Sequence, residues 1–189
     1  MLQASVSSAL HDLAGRSTAF DGVVRFAAQD LIYAALIVAL AVWLRPQGLR
    51  AGVAAAGGAL IGLGAGSLAG DVWNRPRPFV TGQYAPLFAH VDDASFPSDH
   101  VLVLGALAGA AWLAWRPAGV ATAVLALAVG IARVIAGVHY VGDVAGGFVI
   151  GAIAAVLVWF ALGVAMPLLS RLDAVLQRLH LRPRVTPAR

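Results

Sequence analysis

No cysteine, lysine or glutamate occurs among the 189 residues. The first absence excludes a disulfide framework and any thiolate metal site. The other two leave thirteen basic residues that are all arginine and nine acidic residues that are all aspartate. Charge of either sign is scarce, at 12 % of the chain against about a quarter in an ordinary soluble domain. Hydrophobic residues make up 60 % and the mean hydropathy is +0.84. Lipid is therefore the expected solvent. The pI near 10.6 does not imply a nucleic-acid face, because the arginines stand singly between apolar runs, where they read as membrane-flanking charge.

A spanning helix needs roughly 17–25 mostly apolar residues. Five stretches approach that length: 31–44, entered through an amphipathic 21–30, then 51–73, 101–115, 118–132 and 144–169. Ahead of them, residues 1–20 read as an interfacial helix, with Leu2, Val6, Leu10 and Leu13 on one side. The beginning of the chain lacks the pattern of a cleavable signal. The expected fold is an all-α membrane protein, one domain over 1–189. Its bundle has five transmembrane helices, or six if the N-terminal helix inserts. The tail 170–189 carries Arg171, Arg178, Arg182, Arg184 and Arg189 and is expected in the cytoplasm. Arg45, Arg50 and Arg116 fall on the same side, which leaves segments 74–100 and 133–143 facing outward. Within the second span Gly58, Gly62, Gly66 and Gly70 recur every fourth residue, as do Gly105 with Gly109 and Gly147 with Gly151. Such stripes let helix backbones approach closely.

The outward segments hold three polar clusters. Arg75-Pro76-Arg77-Pro78-Phe79 stops the second span, since proline cannot continue a helix. Asp71 and Arg75, four apart, are expected to neutralise each other, which leaves Arg77 as the preferred anion ligand and Arg75 as a secondary one. In Phe96-Pro97-Ser98-Asp99-His100, Ser98 stands near a helix start, where backbone N–H groups and a hydroxyl can meet an anion. His100 follows in the first turn, within reach to protonate a leaving oxygen. Asp99 takes a supporting part, fixing an arginine or His100. The third cluster runs from Arg133 to Asp143. His139 and Asp143 are four apart and would share one helix face, the carboxylate setting the tautomer and leaving the other ring nitrogen as a nucleophile. Arg133 suits bidentate contact with phosphate. The plainer alternative is that His139 and Asp143 only pair at a helix start while Arg133 snorkels.

Together these clusters resemble the membrane branch of the type 2 phosphatidic acid phosphatase superfamily. Arg77-Pro78, Pro97-Ser98-Asp99-His100, and Arg133, His139 and Asp143 match its three blocks in residue type and spacing across 70–143. The resemblance implies His139 as nucleophile, Asp143 as its partner and His100 as general acid. It also implies Arg77, Ser98 and Arg133 as phosphate ligands, in chemistry that uses neither metal nor cofactor. The chain departs from the family at one place: Gly70 stands where the family has a lysine. Arg75, or Gln29 or Asp30 near the outer end of the first span, would have to reshape the anion site there.

Arg-Pro-Arg-Pro-Phe and Ser-Phe-Pro-Ser-Asp-His, with the N-terminal pattern, are similar to the bacterial undecaprenyl-diphosphate phosphatases of the bacitracin-resistance type. That similarity implies hydrolysis of a C55 polyprenyl diphosphate to the monophosphate at the outer face of the plasma membrane, which recycles the carrier of cell-wall synthesis. The partner it implies is a lipid in the bilayer. A phosphatase for phosphatidylglycerol phosphate or phosphatidic acid fits the same residues. A catalytically silent scaffold or a transporter is the reading from another class.

Overall fold

The computed structural model describes residues 2–82, 84–164 and 166–179. Its elements are helical: α1 (Leu2–His11), α2 (Thr18–Gln29), a 3-10 turn (Leu31–Tyr33), α3 (Ala34–Trp43), α4 (Gly48–Trp73), α5 (Asp99–Ala114), α6 (Arg116–Ile135), α7 (Val141–Ala161) and α8 (Met166–Arg178). The expected all-helical bundle is what forms. Three helices, α4, α6 and α7, are individually long and apolar enough to cross a membrane. The pair α2 and α3, bent by 48° at the 3-10 turn, passes the same test only when taken together, as a broken span or a re-entrant loop.

The expected count of five spans meets its limit at α5, whose sixteen residues rise only about 24 Å against a hydrocarbon core of about 30 Å. This helix packs against α4, α6 and α7. The fifth predicted run is also cut differently. The helix α7 begins earlier, at Val141, and ends at Ala161, and α8 follows from Met166. Gly163 and Pro167 punctuate the run. Of the basic tail, Arg171 and Arg178 belong to α8, while Arg182, Arg184 and Arg189 lie outside the described residues.

The glycine stripe is a packing seam. A Cβ at Gly58 would stand 2.5 Å from the Ala155 backbone of α7, and one at Gly66 would stand 2.8 Å from Pro97. At Gly151 it would land on the Leu102 carbonyl, and at Gly105 on that of Phe148. The helix α7 therefore meets α4 and α5 backbone to backbone, where dispersion contact rather than water release drives association.

Packing falls into layers along the bundle. At one end Val42, Ala51, Ala110, Ala118 and Trp159 form an apolar cluster. Arginines cap that end: Arg45 lies 4.0 Å over the Trp115 ring, and Arg50 lies 4.4 Å over Trp159. At the other end α1 and α2 close over the last turn of α6 through Val24, Ala28, Ile135, Ala136 and Val138. There α1 is tied down by Ser7, which accepts the Val141 N–H at 3.2 Å, and by His11, whose Nδ1 donates to the Ile135 carbonyl at 2.9 Å. The interfacial helix expected from the sequence thus lies at the same end as the polar clusters.

Candidate active site

The turn between α6 and α7 carries the centre. Arg133 stands in the last turn of α6, His139 just ahead of α7, and Asp143 is the third residue of α7. His139 is therefore not on a helix face with Asp143. The contact arises because Asp143 folds back at the helix start, accepting the Tyr140 backbone N–H at 2.8 Å, a capping bond suited to an anion at a helix N-terminus. Helix-start pairing and a polar centre are both present, from one carboxylate.

His139 is buried. Its Nδ1 lies 2.9 Å from the Ser95 carbonyl, with Asp143 Oδ2 behind at 3.7 Å. A carbonyl only accepts, so Nδ1 carries the hydrogen. Nε2 then presents its lone pair to two guanidinium groups. Arg77 Nη1 is 3.1 Å away and Arg133 Nη2 is 3.3 Å away. Arg77 Nη1 also lies 3.4 Å from Nδ1 and donates to the Val138 carbonyl at 2.9 Å, so it grips the turn itself. Burial pushes the His139 imidazole down to about 4; Asp143 opposes the shift, and Arg133 and Arg77 add to it. The ring is neutral at neutral pH.

Ser98 is the N-cap of α5, as the sequence predicts, but its hydroxyl makes no capping bond. That Oγ is buried without a partner, and so is Nε of Arg133. Two spare polar atoms on buried residues suit a polar ligand, since an unmet buried group costs about 1–3 kcal/mol. His100, partly buried in the first turn of α5, is near enough to Arg133, His90 and Arg77 to feel their charges.

Several expectations need correction. Asp71 and Arg75 do not pair as one helix face, because Asn74 ends α4 between them in the left-handed conformation, at φ 37°. Arg75 instead lies 3.7 Å over the Tyr140 ring and 3.4 Å from Asp143 Oδ1. Asp71 and Asp99 line a cleft of about 350 Å³ with Gly70 and Arg77. The carboxylate that fixes Arg77 is Asp93, at 2.7 Å from Nε, in place of Asp99. Gly70 packs under the 94–96 segment, where a Cβ would stand 3.1 Å from the Phe96 carbonyl. Gln29 and Asp30 are exposed; the neighbouring Ala28 carbonyl reaches the site, accepting Arg133 Nη1 at 3.1 Å.

Three residues escaped the sequence reading: Ser95, Asp93 and His90. Ser95 joins both partners of the centre, its carbonyl to His139 and its hydroxyl to Asp143 Oδ2 at 2.5 Å. Ser95 opens the Ser-Phe-Pro-Ser-Asp-His motif noted in the sequence, but that motif gave it no role of its own. His90 accepts from Arg133 Nη2 at 2.9 Å, and only its being one of five histidines could have marked it.

The depressed imidazoles give a pH prediction. His139 is held down by burial. His90 is lowered by burial and by Arg77 and Arg133, against its Val91 carbonyl contact and Asp93. The unfolded chain therefore binds more protons between 6.5 and the lower folded values, so stability rises with pH across that window. Melting in detergent is expected to be level above pH 6.5 and to fall as the pH drops toward 4. A melting temperature unchanged over that range would refute it.

The PAP2 superfamily matches residues 47–166. The undecaprenyl-diphosphatase BcrC of Bacillus subtilis (strain 168) is 32 % identical over 154 residues, covering 78 % of each chain. The putative undecaprenyl-diphosphatase YbjG of Escherichia coli (strain K12) is 32 % identical over 149 residues, covering 73 % of each. Among solved structures, Aquifex aeolicus LpxE shares the fold with a TM-score of 0.62 at 17 % identity, over 84 % of this chain and 94 % of that one.

Proposed function

We infer a function from the family to which the chain belongs, the PAP2 superfamily. We propose that it hydrolyses a polyprenyl diphosphate, of the undecaprenyl class, to the monophosphate through a phosphohistidine on His139. The observation that carries the chemistry is the His139 Nε2 lone pair held between the guanidinium groups of Arg77 and Arg133. A terminal phosphoryl entering there would take over the arginine hydrogens, so the groups that now restrain the nucleophile would bind its target.

Nε2 attacks phosphorus while the bond to the bridging oxygen breaks. His100 gives its proton to that oxygen, and the lipid monophosphate leaves. The Nδ1 hydrogen stays with the Ser95 carbonyl and the Asp143 carboxylate, which stabilise the positive ring of the intermediate. Water then attacks the phosphohistidine, His100 takes a proton from it, and orthophosphate is released. Ser98 Oγ and Arg133 Nε supply two further donors for phosphate oxygens. The diphosphate preference is supported by the two relatives named as undecaprenyl-diphosphatases. Arginine at the end of the bundle away from the site supports a cytoplasmic C-terminus and a site on the outer face of a bacterial plasma membrane.

Phosphate release by the purified protein in detergent tests the reading, with undecaprenyl diphosphate, phosphatidic acid and phosphatidylglycerol phosphate compared in the presence of EDTA. The diphosphate is expected to give the highest kcat/KM. If it proves the poorest of the three, the substrate assignment is wrong. Phosphatidylglycerol phosphate in first place would favour the phospholipid reading instead.

A further inference from the structure

His90 lies outside the three motif blocks, yet it shares a hydrogen-bond donor with the nucleophile. Arg133 Nη2 stands 2.9 Å from His90 Nε2 and 3.3 Å from His139 Nε2. A guanidinium only donates, so His90 also turns a lone pair toward it and keeps its hydrogen on Nδ1, which faces the Val91 carbonyl at 3.1 Å. Both histidines thus hold the same tautomer with Nε2 directed at one amino group. The His90 ring is edge-on to that of His139, with centroids 6.2 Å apart. Unlike His139, it is half-buried and lines an open pocket of about 450 Å³ with Ala89 and Val91. Phe79 and Phe88 lie beside it at 6.3 Å and 6.5 Å.

Three nitrogen groups therefore mark a path outward from the buried nucleophile: His139 Nε2, Arg133 Nη2 and His90 Nε2. A reacting phosphorus must come within about 3–3.5 Å of the first. A second phosphate, one bridging oxygen further, falls within reach of the third. A monoester has nothing to place there. We propose that His90 is a specificity-determining residue that binds the second phosphate of a diphosphate headgroup, leaving His139, Arg77 and Ser98 to the first. This rests on the diphosphate reading above.

His90 accepts from Arg133 in this structure and must donate to a phosphate. It does so by taking a proton from solvent, to which it is partly exposed, as the dianionic headgroup arrives. The titratable and charged groups facing it are Arg77, Arg133, Asp93, Asp99 and His100; burial first, and then the two arginines, hold it neutral beforehand, and the arginine charge is offset once phosphate binds between them. A charge-assisted hydrogen bond then replaces the one lost to Arg133.

Titration calorimetry on the full chain in detergent separates the two phosphate positions without turnover, using methylenediphosphonate and methylphosphonate as probes. His90→Ala is expected to weaken the diphosphonate roughly tenfold or more and methylphosphonate less than twofold. His90→Gln, whose amide can donate from the same place, is expected to recover most of the difference. An equal loss for both probes would overturn the proposal, since His90 would then act only by placing Arg133. No loss for either would overturn it as well. Failure of the diphosphate reading appears separately, as wild-type protein that releases phosphate from lipid monoesters alone, and leaves this binding ratio readable.

Discussion

His139→Ala is expected to abolish phosphate release, by roughly 10⁴-fold or more, as removal of a covalent nucleophile does elsewhere. Nε2, the atom proposed as the nucleophile, lies between Arg77 and Arg133, and alanine removes both it and the acceptor for two buried guanidinium groups. The loss of activity must therefore be distinguished from loss of fold. His139→Gln provides that control, because its amide oxygen can accept from an arginine but cannot form a phosphohistidine. Both variants are expected to lose the acid-labile phosphoprotein that radiolabelled substrate traps on the wild type. The glutamine variant is expected to keep a cooperative melt. Full turnover by a well-folded His139→Gln would remove the covalent mechanism altogether.

Arg77→Ala is expected to lower kcat by about 10²–10³-fold, the range seen when one preorganised donor to a developing anion is removed. Arg77 makes three contacts at once: Nε to Asp93 at 2.7 Å, and Nη1 to the Val138 carbonyl and to His139 Nε2 at 2.9 Å and 3.1 Å. It therefore ties Asp93 to the turn between α6 and α7, besides facing the proposed phosphate position. Arg77→Lys is expected to rescue little, since a single ammonium cannot meet Asp93 and the turn together as a planar guanidinium does. Steady-state kinetics on the diphosphate substrate check both variants, and a lysine variant within threefold of wild type would show that only charge is needed there.

The site was legible in the sequence to the extent that it is local. Arg77, Ser98, Arg133, His139 and Asp143 are given away by residue type and spacing, and all five are buried at one end of the bundle. Gly58, Gly62 and Gly66 announced a backbone seam by their interval alone, because a four-residue spacing fixes a helix face whatever surrounds it. Arg75 was misjudged for the complementary reason. Its pairing with Asp71 assumed a continuous helix, and one left-handed residue, Asn74, ends that helix between them.

The sequence by itself therefore determined the solvent of the chain, its all-helical class, the end of each run that carries polar chemistry, and the family whose spacing that chemistry follows. Hydropathy and periodicity act over one or two turns, and a linear reading captures them. The tertiary structure alone decided who partners whom. It put the Ser95 carbonyl, 44 residues away in sequence, on His139 Nδ1, and Asp93 on Arg77. It brought His90 to Arg133 and set His139 ahead of its helix, so that capping by Asp143 makes the contact. Hydrogen bonds across a fold are chosen by which loops a packed bundle brings together, and no local pattern encodes that choice.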